Sequence, residues 1–282
     1  MTSRALAAGL LALCGLGATA CGAVSASGAE GAASPRAADA KSAPGRAPST
    51  EVRAAGAADP TPAKPLAGKV IVIDPGHNGG NYRHPEVVNK KVNVLTEWKP
   101  CDTTGTATND GYSEAAFTWD VANRMVKLLK AKGATVKLTR ADNSGVGPCI
   151  TQRAAIGNKA HANAAVSVHA DGAPSSARGF HVIMPKKIGG PVDPVVGKSA
   201  KLGLALRDAY KSGTGIPYST YIGKDALDYR SDLGGLNLST VPKVFVETGN
   251  MRNPRDAAKL KDPSFRQRIA DSLVKGLENY LT

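Results

Sequence analysis

The sequence predicts a single α/β domain on a mostly parallel sheet, and three observations carry that prediction. Short continuous apolar runs, such as residues 69–74 and 164–169, read as strands buried on both faces. They alternate with longer segments whose apolar residues recur at helical spacing. The chain has 282 residues, 42% of them hydrophobic, enough for one substantial core and too little for several large domains. Strands alternating with helices are the pattern of an α/β domain with a largely parallel sheet.

Taken in order, the first strand spans 69–74 and is broken by Pro75, Gly76 and the Gly79-Gly80 pair. A loop runs to about Gly111. Residues 113–132 are helical, with Phe117, Val121, Met125 and Leu128 as the apolar stripe and Gly133 as the stop. Strand 134–139, a short helix at 151–161, and strands 164–169 and 179–184 follow. A helix at 197–212, a buried strand at 243–247 and a closing helix at 263–281 complete the domain.

The first 68 residues have a different character. Arg4 gives a short basic start, and residues 5–20 are apolar and small, too short a run for a comfortable membrane span. Ala18, Thr19 and Ala20 precede Cys21. Residues 1–21 therefore read as an export signal, with Cys21 as a lipidation site in an imperfect lipoprotein box, Ala18 standing where Leu is usual. Simple cleavage and secretion is the rival. Residues 22–68 are Ala, Ser, Gly and Pro with scattered charge. They bury too little to offset ordering entropy and read as a flexible tether ahead of a domain at 69–282. The expected location is outside the cell: the outer face of the plasma membrane through a lipid anchor, or the wall after secretion.

Net charge is +13, and the tether itself is nearly balanced, so the excess lies on the domain. A basic domain attracts polyanions. No helix-turn-helix, zinc-finger or aromatic RNA-binding pattern occurs, which argues against nucleic acid and leaves anionic wall polymers or lipid as partners. Two of the four cysteines remain in the mature domain, Cys101 and Cys149. An even pair in an oxidising compartment reads as a disulfide. Zinc ligation by the pair is the rival reading, weakened by the absence of C-x-x-C spacing.

Ligands of open α/β sheets bind where strands end at their carboxyl edge. His77 follows the first strand, His169 closes 164–169, and Glu247 closes 243–247. Glu114 lies in the first turn of a helix, on the stripe of Phe117 and Val121 that must face the sheet. A carboxylate there needs a strong partner. It reads equally as a metal ligand or as a solvated acid favoured by the helix dipole. Two His, one Glu and an open position make a catalytic zinc site, which activates water and polarises a carbonyl. A second carboxylate would take the proton and pass it to a leaving nitrogen, and Glu247 suits that role. No H-E-x-x-H occurs. His84, His161 and His181 read as surface or hydrogen-bonded histidines.

The runs VIVIDPGH (70–77), SVHAD (167–171) and VETGN (246–250), with Glu114 opening a helix, resemble the zinc-dependent N-acetylmuramoyl-L-alanine amidases of the amidase-3 type. The likeness covers residues 69 to 282. It implies His77, Glu114 and His169 as ligands of one Zn²⁺ per chain, Glu247 as the catalytic carboxylate, and a mixed central sheet flanked by helices. It also implies cleavage of the amide between the lactyl group of N-acetylmuramic acid and the stem L-alanine, in peptidoglycan or muropeptides. The Cys101/Cys149 pair and RSDLGGLN (230–237) resemble the actinobacterial branch. The segment between His77 and Glu114, with Trp98, departs from shorter forms and could line or gate the cleft. Arg230 and Asn237 are candidates to meet stem-peptide carboxylates or backbone, since an Arg fork matches a carboxylate. Arg140 and Arg153 read as braces of the fold. Two alternatives remain: a zinc peptidase acting within the stem, and a non-catalytic wall binder or activator. The intact set ending in Glu247 speaks against the binder.

Overall fold

The structure, a computed structural model, describes residues 64–282. The export segment 1–21, Cys21 and nearly all of the tether lie outside the described residues. The packed chain starts earlier than Lys69. Leu66 is fully buried in the main core, and its backbone N–H donates to the Lys132 carbonyl at the end of a helix.

The elements are β1 (Val70–Pro75), α1 (Pro85–Val88), β2 (Lys91–Asn93), β3 (Trp98–Pro100), α2 (Glu114–Ala131), β4 (Thr135–Leu138), α3 (Ile150–Lys159) and β5 (Ala164–Asp171). They continue with β6 (His181–Pro185), α4 (Val196–Thr214), β7 (Leu227–Arg230), α5 (Gly234–Asn237), β8 (Lys243–Asn250), α6 (Pro254–Lys261) and α7 (Pro263–Leu281). Six strands form one sheet in the order β4-β1-β5-β8-β6-β7, and β2 and β3 make a separate small hairpin. The first four strands of that order run parallel, while β6 is antiparallel to β8 and parallel to β7. The sheet is thus mixed, as the family resemblance implied.

Alternation along the strands divides the sheet into two chemically different faces. Ile71, Ile73, Val166, Val168, Val244 and Val246 join the large core with Phe117, Leu206 and Leu273 of the long helices α2, α4 and α7. Val72 and Ala165 point the other way, into a small cluster with Ile156 of α3. Asp74, Ser167, His169, Lys243, Phe245 and Glu247 share the parity of that second face. It is the face the three long helices leave open.

Three readings needed adjustment. The apolar stripe of α2 ends on Leu129, which is fully buried, and Leu128 is only partly so. Leu129 continues the i, i+4 row of Phe117, Val121 and Met125 over the sheet. Strand β7 and helix α6 were not expected. Leu227–Arg230 is too short and polar to show a period, and α6, half of it charged, is held by its Asn253 cap and buried Leu260. The loop before Glu114 is also more structured than its composition suggests, because the hairpin is pinned from outside. Lys99 Nζ lies 2.7 Å from Asp232, and Thr96 donates to the Ser231 carbonyl.

Candidate metal centre and catalytic cleft

The expected ligands converge at the carboxyl ends of β1 and β5. Ligand atoms of His77, Glu114 and His169 all lie within 4.8 Å of one another. Glu114 reaches them because Ser113 caps α2, accepting from Ala116 N–H, and the helix start projects beyond the strand ends. Glu114 is not a solvated acid, being 4% exposed. Its Oε1 lies 2.9 Å from His169 Nδ1 and accepts from Ala170 N–H, and its Oε2 lies 3.2 Å from His77 Nε2 and accepts from Thr106 N–H. Burial alone would raise this carboxyl, but the two histidines and their hydrogen bonds outweigh it and hold it well below the usual range. Two imidazoles and one carboxylate form a donor set able to hold a metal ion with a position left open.

Two glycines make room for this cluster. A Cβ on Gly76 would fall 2.2 Å from His169 Cε1, so only glycine lets the ring lie against β1. A Cβ on Gly105 would stand 2.8 Å from Glu114 Oε2. His77 itself adopts a left-handed backbone, with φ 58. That costly conformation is held by Arg153, whose guanidinium donates to the His77 carbonyl at 3.0 Å.

Beneath the cluster runs a buried chain of alternating charge. Lys243 Nζ and Arg153 Nη1 lie 3.2 and 2.9 Å from the two oxygens of Asp74, and Arg153 Nη2 lies 2.9 Å from Asp102. Burial opposes the Asp74 charge, but Lys243, Arg153 and the hydroxyls of Ser167 and Thr139 hold it ionised. Phe245 stacks on His169 at 5.3 Å, and Lys243 Nζ lies 5.4 Å from the Phe245 ring centroid. Arg140 donates to the Pro75 and Ala115 carbonyls, tying β1 to α2. Both arginines therefore brace the fold. Asp102, Thr103 and Phe245 carried no sequence signal, since neither an isolated Asp after a Cys nor a strand Phe belongs to a recognisable pattern.

Glu247 stands beside the cluster. It pairs in register with His169 of β5 and with His181 of β6. Its Oε2 is buried without a hydrogen-bond partner. Burial, then the Glu114 and Asp171 carboxylates, push its pKa well above the ordinary value. A cleft of about 320 Å³ opens over these groups, walled by Glu247, Arg230, Asp171, Ile183 and Leu233. A second cavity, about 240 Å³, lies on the other side of the histidines, between Lys99 and Pro100 of the hairpin and Ile150, Leu233 and Phe245. The inserted segment thus lines the approach, although Trp98 points away and is 64% exposed.

The remaining candidates separate. Arg230 reaches the cleft wall with both Nε and Nη2 held by Asp232, which fixes its fork. Asn237 does not reach it. Its side chain is fully buried and donates to the Val94 and Ser231 carbonyls, so it fastens the hairpin to the β7–α5 connection. The sequence reading of Asn237 as a substrate contact is corrected on that ground: its amide hydrogens are engaged, and its free Oδ1 is buried out of a ligand's reach. Cys101 and Cys149 are joined by a disulfide, which removes them as metal ligands. His84 is exposed beside Glu86, His161 is exposed at the end of α3, and His181 is buried against Tyr221. None of the three joins the cluster. Among the described residues, no helix is long and apolar enough to cross a membrane.

The sequence family described as Amidase_3, N-acetylmuramoyl-L-alanine amidase, matches residues 71–279. The chain is 41% identical over 225 residues to N-acetylmuramoyl-L-alanine amidase Rv3717 of Mycobacterium tuberculosis, covering 79% of this chain and 90% of that protein. It is 28% identical to the probable cell wall amidase LytH of Staphylococcus aureus, over 77% of this chain and 60% of LytH. The crystal structure of the amidase Ami1 from Mycobacterium smegmatis superposes with a TM-score of 0.72 at 40% identity, covering 77% of this chain and 98% of that one. The apo form of Ami1 from Mycobacterium abscessus gives 0.73 at 40% identity, covering 77% and 100%.

Proposed function

This chain belongs to the N-acetylmuramoyl-L-alanine amidase family, and from that premise we propose that it hydrolyses the lactyl–L-alanine amide of peptidoglycan with one zinc ion held by His77, Glu114 and His169. The observation that carries the reading is the buried convergence of these three donors beside an unpartnered Glu247 oxygen. When bound, zinc supplies Lewis acidity toward the scissile carbonyl and toward water. The rest of the chemistry falls to this chain's own side chains.

Glu247 accepts the proton of the attacking water and returns it to the leaving nitrogen. Its raised pKa makes it a better base than an ordinary carboxylate, and its free Oε2 leaves a site for that proton. Glu114 accepts the Thr106 and Ala170 N–H groups, one on each oxygen, which fixes the carboxylate between the two imidazoles so that its remaining lone pairs would help hold the ion. Arg230, its fork fixed by Asp232, offers a cation on the Glu247 side of the cleft, where a carboxylate of the departing stem peptide would lie. Asp171 accepts from Tyr221 Oη and keeps a second negative group near Glu247, reinforcing its affinity for a proton.

The proposal extends to the segments outside the fold: residues 1–21 export the chain, Cys21 anchors it by lipid, and residues 22–68 let the domain reach the wall. Digestion of purified peptidoglycan followed by mass spectrometry tests the reaction. The amidase reading expects a free amino group on the stem L-alanine and an intact lactyl ether on muramic acid. A new amine deeper in the stem would instead make the protein a peptidase, and no new amine would make it a binder.

A further inference from the structure

His77, two residues past the end of β1, is oriented by groups that the reaction does not use. His77 Nδ1 lies 3.0 Å from the Thr103 carbonyl. A carbonyl can only accept, so this contact requires the hydrogen on Nδ1 and leaves Nε2 to face Glu114 and His169. The Thr103 carbonyl is itself clamped, because Asn81 Nδ2 donates to it at 2.8 Å. Asp102 controls the same peptide from the other side. Its Oδ1 accepts from Thr103 N–H at 2.8 Å and lies 3.6 Å from His77 Nδ1, while Oδ2 takes Arg153 at 2.9 Å.

The segment that docks residues 101–103 is the start of α3. Gly147 N–H donates to Asn81 Oδ1, Ile150 N–H donates to the Cys101 carbonyl, and the disulfide joins Cys101 to Cys149. Gly147–Arg153 thus restrains the Thr103 peptide through Asn81, Cys101 and Asp102, and Arg153 meets His77 at its backbone carbonyl rather than at its ring. An outer partner that fixes the ring and raises its basicity is worth 10–100-fold in metal affinity.

We propose that Asp102, locked in place by Arg153 and the Cys101–Cys149 bond, is a positioning residue that sets the orientation and tautomer of His77 for metal binding. The inference rests on the zinc reading above and goes beyond it by giving the disulfide and the buried Arg153–Asp102 pair a task in the site. Asp102 acts through the Thr103 peptide and through its charge beside Nδ1. It touches neither substrate nor metal.

The test is a chelator-competition titration of zinc on the full chain, made for the native protein, Asp102→Asn and Asp102→Ala. Melting of each metal-free protein and long-range ¹H–¹⁵N spectra of the zinc-loaded imidazoles accompany it. Asp102→Ala should weaken zinc affinity 10–100-fold, with Asp102→Asn intermediate because its single oxygen can still accept from Thr103 N–H while its amide NH2 meets Arg153 without a charge. The His77 Nδ1–H signal should broaden in the alanine variant while the His169 signals hold. A folded Asp102→Ala protein with zinc affinity within twofold of native overturns the proposal and leaves Asp102 as a counterion of Arg153. If the alanine variant does not fold, Asp102→Asn decides, and unchanged zinc affinity with a lower melting temperature is again the overturning result. A native protein that binds no zinc would fail the zinc reading itself, a different outcome.

Discussion

Glu247 and His169 are directly opposed across neighbouring parallel strands, β8 and β5, so the proposed base and a metal histidine share one rung of the sheet. Their separation is set by strand spacing rather than by loop conformation. A proton-transfer group placed this way needs no rearrangement to meet a water on the metal side.

Glu247→Gln keeps that rung and its volume but removes the proton-accepting oxygen. Zinc content should stay at one per chain while turnover falls ~10²–10⁴-fold. Zinc stoichiometry, melting temperature and amide cleavage are measured on one preparation. Loss of zinc together with activity would make Glu247 a ligand instead of a base.

The metal set gives a complementary expectation. His77→Ala or His169→Ala should lose most zinc and nearly all hydrolysis, and chelation of the native protein should do the same. Circular dichroism should remain native-like, because both histidines lie at strand ends outside the large core. Full activity in a zinc-free His169→Ala protein would rule out metal-dependent hydrolysis.

Metal-free protein should show a characteristic pH dependence. Burial disfavours a charged His77, but Glu114 and Asp102 outweigh it and raise its pKa to about 10. An unfolded-chain histidine titrates near 6.5. The folded state thus holds the proton more tightly, and the resulting stabilisation is complete below pH ~6.5 and lost as pH climbs toward 10. Chemical denaturation of apoprotein at pH 6 and pH 9 should find the lower value at pH 9. Zinc must displace that proton, so zinc affinity should rise over the same interval. Equal apoprotein stability at both pH values would show that Glu114 does not hold an imidazolium.

Reduction of the Cys101–Cys149 bond should cost about 4 kcal/mol in the chain-entropy account, given its separation of 48 residues. The loss should appear first around residues 78–113, and the sheet should open later. Hydrogen exchange with and without reductant reads this directly: faster exchange confined to Val88, Cys101 and Asp102 amides is expected. Uniform acceleration across β1, β5 and β8 would mean the bond supports the whole domain.

Gly76→Ala isolates packing from chemistry. The added methyl would overlap the His169 ring, so the ring must leave its place against β1. Zinc affinity should fall at least tenfold, whereas the variant stays folded because Gly76 follows the strand core. Native affinity in Gly76→Ala would mean that the ring has another position from which to bind.

Much of the site was legible because its residues sit where strands stop. His77, His169 and Glu247 each end a run of apolar residues, and the runs VIVIDPGH, SVHAD and VETGN mark them without any three-dimensional information. Glu114 was only half legible: helical spacing put it on the buried stripe, yet a first-turn acid is equally at home in water. Arg230 and Asn237 lie in one short run and looked alike. Three hydrogen bonds to the hairpin and its anchor turned Asn237 inward, while Asp232 held Arg230 at the cleft. The hairpin, β7 and α6 left no period to read, being four residues long or less, or half charged.

The sequence by itself determined the α/β alternation, the strand ends that carry the metal donors, and the cysteine pair, because burial and period are local properties of the chain. The tertiary structure decided which strands are neighbours, and hence that Glu247 stands across from His169, that the start of α2 delivers Glu114 between two imidazoles, and that Asp102 and Arg153 meet behind His77. These pairings join positions 37 to 78 residues apart. Only the sheet order and the docking of α3 bring them together, since no short-range pattern can record which distant charge will neutralise which.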